Sequence, residues 1–190
     1  MGMPAAIQHR WTADEVRALP DVPGQRFEVV DGELLVSPSP VRRHQKVAFE
    51  LAVILREYLL AFQGGDVLMA PSDYELDGFT MVQPDLYVVP LVDGSMPDVQ
   101  QGPDEAFLFV EVLSLSTARS DRVVKRERYQ RQGIEYWIVD IDARVIERWQ
   151  PNALRPDMLA EQFEWQPIAA PYPLVVDLPA FFERVLGQAS

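Results

Sequence analysis

The sequence predicts an α/β protein with a mixed central sheet. Three observations support this: an N-terminal hairpin signal, a long amphipathic helix directly after it, and several apolar runs interrupted by a second helix. Because helices and strands alternate along the chain, they are expected to pack into shared layers. With 190 residues, of which 48% are hydrophobic, the chain is long enough for a single domain over 1–190.

The N-terminal elements carry local signals. Thr12 is predicted as an N-cap with Glu15 as its capping-box partner, so a short helix follows to about Leu19. The runs 27–30 and 33–36 are joined by Asp31-Gly32, a dipeptide typical of tight hairpin turns. The sequence therefore predicts an N-terminal hairpin.

The rest of the chain alternates between the two kinds of element. Apolar residues at helical spacing predict a long helix over about 41–62, closed by Gly64-Gly65. Residues 106–113 are almost entirely apolar, which is typical of a central strand buried on both faces. The remaining predictions are strands over 66–69, 73–76, 81–89, 134–140, 144–150 and 162–166, helices from about 120 to 132 and over 179–186, and surface loops over 91–105 and 151–157.

Two acidic residues stand where strands are predicted. Asp85 follows Pro84, and Glu111 interrupts the apolar central strand. A buried, unpaired carboxylate costs several kcal/mol or more, so it is normally paired, protonated or bound to a metal. The pattern therefore indicates a cation between Asp85 and Glu111, although a turn-capping role remains open for Asp85.

A basic helix follows the second acid. Lys125 stands on it with Arg122, Arg126 and Tyr129 on the same predicted face. The alternative is an ordinary charged surface helix, because the window has few apolar residues to bury.

Several of these motifs together resemble a known family. The chain is similar to a bacterial family of putative restriction endonucleases, also classed as a domain of unknown function, within the PD-(D/E)XK nuclease superfamily. The matching residues are Phe27 through Leu34, Arg43-His44-Gln45, Gln83-Pro84-Asp85, Glu111 through Thr117, Asp121, Lys125-Arg126, Tyr129 and Gly133 through Asp140.

The resemblance implies a restriction-endonuclease-like core and a function. It implies a Mg²⁺ ion, with Mn²⁺ as an alternative, held by Asp85, Glu111 and the Val112 carbonyl, in an endonuclease that hydrolyses phosphodiester bonds in DNA. The superfamily's lysine falls at Leu113 here, so Lys125 is expected to take its place. Glu33 is the expected further acid, with Glu28 as competitor, and His44 is expected to contact phosphate or assist proton transfer. The expected nucleic-acid contacts are Arg43, Arg122, Arg126 and Tyr129.

The charge distribution leaves a second function open. A formal net charge of −12 disfavours nucleic-acid binding, yet the windows 42–46 and 119–131 are basic. These windows form either a local basic rim or two solvated helix faces. The acidic charge and Leu113 favour the alternative, a catalytically inactive nuclease-fold binding or assembly module.

Composition limits the remaining classes. The chain has no cysteine, which excludes disulfides, thiolate zinc sites and a cysteine nucleophile. It has neither a signal-peptide pattern nor a membrane-length apolar run, so a cytoplasmic location without membrane contact is expected. Numerous aromatic residues in the C-terminal third predict a homodimer, since restriction-type nucleases often pair two sites; they are Trp149, Phe163, Trp165, Phe181 and Phe182.

Overall fold

The computed structural model describes residues 9–98, 100, 105–168 and 170–188. Its helices are α1 Ala13–Arg17, α2 Arg42–Leu60, α3 Arg126–Arg131 and α4 Leu178–Leu186, and a π-helical turn, Ser120–Lys125, runs directly into α3. Its strands are β1 Gln25–Val30, β2 Glu33–Pro38, β3 Asp66–Met69, β4 Tyr74–Asp77, β5 Thr80–Val82, β6 Leu86–Val89, β7 Leu108–Val112, β8 Glu135–Asp140, β9 Val145–Trp149, β10 Asp157–Leu159, β11 Gln162–Trp165 and β12 Leu174–Asp177.

The main sheet is mixed, which confirms the predicted fold class. Its six strands lie in the order β10-β9-β8-β7-β6-β3. Strands β7 and β8 are parallel, whereas the other neighbouring pairs are antiparallel. As predicted, β7 is central, and all five of its residues are buried.

The two faces of this sheet carry different layers. Helices α2 and α4 cover one face, where they pack with Leu108, Val110 and Val112 of β7. The opposite face of β7 packs through Phe109 against Tyr129 of α3. Because side chains alternate along a strand, Glu111 lies on the same face as Phe109 and below the basic helix.

A second sheet supports the N-terminal hairpin. Its four strands lie in the order β2-β1-β5-β4. The turn between β1 and β2 has positive φ at Asp31 (51°) and Gly32 (88°), as the Asp-Gly dipeptide predicts. Helix α1 begins with the predicted capping box between Thr12 and Glu15. The hairpin brings β1 beside the end of the main sheet, which is where the candidate site lies.

Some strand predictions were wrong in detail. The predicted strand 81–89 is divided at Gln83-Pro84-Asp85, and β5 joins the small sheet while β6 joins the large one. Proline has no N–H to donate to a ladder, so the strand breaks there. Strands β10 and β12 were not predicted; β12 pairs with β11 in a separate two-stranded sheet.

The C-terminal aromatic residues serve the core of this chain. The rings of Phe163, Trp165, Phe181 and Phe182 are all buried in the cluster that α2 and α4 form with the main sheet. The aromatic excess that suggested a homodimer is therefore used within the protomer. The homodimer stays a prediction, without this support.

No helix within the described residues has the length and apolar character needed to cross a membrane.

Candidate active site

A cavity of about 420 Å³ lies where β6, β7 and β8 meet the hairpin and the beginning of α2. Asp85, Glu111 and Lys125, the three residues on which the sequence interpretation depends, all line it, and His44 lies beside them. The structure therefore brings together residues that lie up to 81 positions apart in the chain, from His44 to Lys125.

Asp85 is held by three donors. Strands β6 and β7 pair Leu86 with Val110, so continuing the antiparallel register places Asp85 opposite Glu111. Its Oδ1 accepts a hydrogen bond from Arg26 at 3.0 Å, and its Oδ2 accepts one from the Val112 backbone N–H at 2.9 Å. The His44 Nε2 lies 2.9 Å from the same Oδ2. Burial alone raises the pKa of Asp85, but His44, Val112 and Arg26 outweigh it and hold the pKa below its usual value.

Lys125 is bound between two carboxylates. Its Nζ lies 2.8 Å from Glu111 Oε1 and 2.8 Å from Glu28 Oε2. The lysine thus approaches the end of the central strand from the following helix, as the sequence interpretation expects. Asp85 is not a direct partner: among the described residues, the third acidic neighbour of the ammonium is Asp121, at 3.7 Å.

Burial and neighbouring charges set the pKa values of Glu111 and Lys125. Burial raises the pKa of Glu111 well above its usual value, and Lys125 offsets only part of the effect because Asp85, Asp121 and Glu28 oppose it. Burial alone lowers the pKa of Lys125, but Glu111 and Glu28 outweigh it and raise the pKa well above its usual value. The ammonium therefore stays charged at neutral pH.

Glu28, and not Glu33, is the hairpin acid of this cavity. Glu28 is buried, and its Oε1 accepts a hydrogen bond from the Gln83 backbone N–H at 2.7 Å. Glu33 is exposed at the start of β2, opposite Val30. Residues 28 and 30 share a strand face, so Glu33 is on the expected face but lies at the turn end of the hairpin, beyond the cavity.

The predicted nucleic-acid contacts are mostly engaged elsewhere. Arg122 is paired with Asp140 and Glu147, and the Arg126 guanidinium lies over the Trp149 ring. Tyr129 is entirely buried, so it has no surface for nucleic acid to contact. Its ring packs against Phe109 and Tyr136 instead, because α3 packs on the aromatic side chains of β7 and β8.

Arg43 lines the cavity but is not free. Its guanidinium donates to Asp142 at 2.7 Å and to the Ile141 carbonyl at 3.1 Å. Three other basic residues, each within two positions of a cavity-lining residue in the sequence, are exposed and have no ion pair or hydrogen bond with the described residues: Arg42, Lys46 and Arg119.

Two further residues of the site were not assigned to it from the sequence, although Asp121 is among those that carry the family resemblance. Arg26 contacts Asp85, and alternation along β1 offered a signal for it, because 26 and 28 share a face. Asp121 is buried beside Lys125, and its polar surroundings in the sequence gave no indication of burial.

The donor set is compatible with a hard divalent cation. The Asp85 carboxylate accepts three contacts and Glu111 accepts one, whereas a carboxylate offers about four lone-pair sites. Both carboxylates can therefore accept further contacts. The candidate metal ligands are all oxygens, which Mg²⁺ prefers. Within the described ranges, no three His, Asp or Glu side chains form a ready-made metal cluster. The Val112 carbonyl is thus the third protein ligand to test.

Comparison with known proteins agrees with this fold. A family described as Uma2, putative restriction endonuclease, matches residues 13–177. A crystal structure of a putative nuclease belonging to DUF820 from Anabaena variabilis ATCC 29413 is similar with a TM-score of 0.70 and 17% identity, over 93% of this chain and 99% of that one. At that identity, the likeness shows the shared fold. No curated protein matches the chain.

Proposed function

The chain belongs to the Uma2 family of putative restriction endonucleases, and from its cavity we propose that it is a Mg²⁺-dependent endonuclease that hydrolyses phosphodiester bonds in DNA. One observation carries this proposal. A charged lysine is bound to Glu111 in a cavity that Asp85 also lines, so an ammonium and two carboxylates are available to one substrate group.

The charge of the cavity supports a divalent cation. Four carboxylates, from Glu28, Asp85, Glu111 and Asp121, are balanced by the two cations Arg26 and Lys125. The carboxylates outnumber the cations, so a divalent cation bound between Asp85 and Glu111 would reduce the repulsion among these acids. Asp85, Glu111 and the Val112 carbonyl would hold that ion, with Mn²⁺ as the alternative. When bound, it would polarise the phosphoryl group and lower the pKa of a coordinated water.

The chain's own residues have separate roles in this proposal. An ammonium has three N–H donors, and Glu28 and Glu111 occupy two of them, so a donor remains to orient the attacking water and neutralise the phosphate. Glu28 fixes the ammonium from the hairpin side. Arg26 and His44 hold the Asp85 carboxylate in a fixed orientation beside the cavity.

The unpaired cations around the cavity suit a phosphate backbone. Arg42 and Lys46 stand on the first turns of α2, beside the cavity residues Arg43 and His44. Arg119 lies two residues after Thr117, which lines the cavity on the side away from α2. Since an unpaired arginine or lysine need not break an ion pair to bind phosphate, these three are the proposed backbone contacts.

The first prediction concerns metal binding. In calorimetric titrations, the native protein is expected to bind Mg²⁺, and Asp85→Asn or Glu111→Gln is expected to weaken binding by about tenfold or more, since each removes one charged ligand. The same variants should lose Mg²⁺-dependent cleavage of plasmid DNA. Glu33→Gln is the matched control, because this acid lies outside the cavity and its loss should change neither measurement.

Two results would contradict the proposal. One is that the native protein does not bind the ion, and the other is that both variants bind it as tightly as the native protein does. The chain would then be a nuclease-fold binding or assembly module, the alternative that Leu113 and the net charge of −12 favour.

A further inference from the structure

Asp121 is a buried carboxylate with few polar partners. It lies in the π-helical turn and is 1% exposed, and neither of its side-chain oxygens has a close hydrogen-bond partner among the described residues. The Thr117 side chain lowers the pKa of this carboxyl but offsets only part of the effect of burial, which raises it. Buried carboxylates are normally hydrogen-bonded, because desolvation of an unpaired charge is costly. A charged Asp121 is therefore expected to lower the stability of the fold, which indicates that its charge has a function.

The only cation close to this carboxylate in the described structure is the Lys125 ammonium. Asp121 Oδ1 lies 3.7 Å from Lys125 Nζ, which is too long for a hydrogen bond but a strong attraction between opposite charges in a buried site. Lys125 is four residues further along, so both side chains project from the same side of the helical turn. Asp121 therefore acts on the ammonium through its charge.

Asp121 differs from the other acids in its relation to the cavity. Glu28, Glu111 and Lys125 line the cavity, whereas Asp121 does not. A cation in the cavity can thus recruit Glu111, but it cannot recruit Asp121. The carboxylate lies behind the ammonium as seen from the substrate.

We propose that Asp121 is a positioning residue that holds Lys125 from behind while the cavity-side carboxylates change partners. The proposal rests on the proposed nuclease function. When Glu111 turns to the cation and an N–H of Lys125 turns to the phosphate, the two hydrogen bonds of the ammonium are no longer both available. Asp121 then keeps the lysine charged and in place, because nothing in the cavity competes for it.

The kinetic test is Asp121→Asn, which keeps the shape of the side chain and removes its charge. We expect kcat for Mg²⁺-dependent DNA cleavage to fall about tenfold or more, with KM and Mg²⁺ affinity changing by less than about twofold. The melting temperature should stay the same or rise, because the variant removes an unpaired buried charge. Asp121→Ser provides a second variant if the Asp121→Asn protein does not fold.

Asp77→Asn is the matched control. Asp77 lies in the small sheet and accepts hydrogen bonds from the Phe79 backbone N–H and from Arg128, both at 2.8 Å. Its substitution should lower the melting temperature and leave kcat unchanged, which is the reverse of the Asp121 pattern. If Asp121→Asn behaves like this control, or lowers kcat and melting temperature together, Asp121 has only a structural role and the proposal fails.

A second readout needs neither metal nor activity. In the metal-free protein, Asp121→Asn should raise the melting temperature by about 4 °C more in a Lys125→Met background than in the native background, because the lysine no longer compensates the buried charge. Equal shifts in both backgrounds would mean that the residues are not coupled and would overturn the proposal. Coupling without any cleavage by the native protein would instead contradict the nuclease function alone.

Discussion

At the scale of single residues, Lys125 connects the stability of the fold to its proposed chemistry. A buried lysine is tolerated only when acceptors replace its hydration, and here Glu28 and Glu111 do so at 2.8 Å each. The two acids depend on the lysine in the same way, because each would otherwise be a buried charge without a cation. Removing the lysine therefore affects more than catalysis.

Lys125→Met is predicted to lower stability and abolish cleavage. Removing one partner of a buried ion pair costs about 3–5 kcal/mol, which corresponds to a fall of roughly 10 °C in melting temperature for a chain of this size. Mg²⁺ affinity should be retained, since the lysine contributes no ligand to the ion. Thermal unfolding, calorimetry and plasmid cleavage measure the three effects.

The control for this substitution is Arg155→Met in the exposed loop after β9. It should leave the melting temperature within about 1 °C, because surface substitutions usually change stability by less than about 0.5 kcal/mol. Residual metal-dependent cleavage by Lys125→Met close to the native rate would remove the lysine from the mechanism.

At the scale of elements, the N-terminal hairpin places two of the cavity's residues, Arg26 and Glu28, on one strand. Its geometry depends on the turn at Asp31-Gly32. A Cβ at Gly32 would face a φ of +88° and would lie 2.2 Å from Arg10 Cγ. The turn therefore constrains the register that directs Glu28 to Lys125.

Gly32→Ala is predicted to lower the free energy of unfolding by about 1 kcal/mol or more, because alanine rarely adopts this φ. Gly78→Ala is the matched control: it also lies in a hairpin turn, but its Cβ would meet no atom within 4 Å and its φ is not positive. The two variants are compared by the midpoints of urea unfolding, which report stability when the m-values are equal. Equal midpoints for both variants would show that the turn does not constrain the hairpin.

These elements differ in how far the sequence could predict them. The hairpin turn, the α1 capping box and the central strand carry local signals, and all three were predicted. The position of the Tyr129 side chain was predicted wrongly because its burial depends on Phe109 and Tyr136, which lie on strands β7 and β8 and not on its own helix. The choice between Glu28 and Glu33 likewise needed the position of the hairpin against the main sheet, since both acids lie on the same face of the hairpin.

At the scale of the whole molecule, the proposed nuclease function requires a chain with a net charge of −12 to approach DNA. Many of its arginines are held in ion pairs with its own acids, so they do not add to an attractive surface. Arg122, Arg128 and Arg148 are examples, each paired with an acid of another element. Binding should then depend on the few unpaired cations at the cavity and on the divalent ion inside it.

The last prediction is a weak salt dependence of DNA binding. If only Arg42, Lys46 and Arg119 contact phosphates, log K should fall with log salt concentration with a slope of about −3, since each contact contributes about −0.9. The measurement uses Glu111→Gln without divalent cation, so that the DNA is not cleaved. Arg42→Gln and Arg119→Gln should each weaken binding and reduce the slope by about 1, whereas Arg155→Gln, exposed in the loop after β9, should change neither. A slope of about −6 or steeper would mean that paired arginines leave their acids to bind DNA, because three contacts cannot release that many counterions.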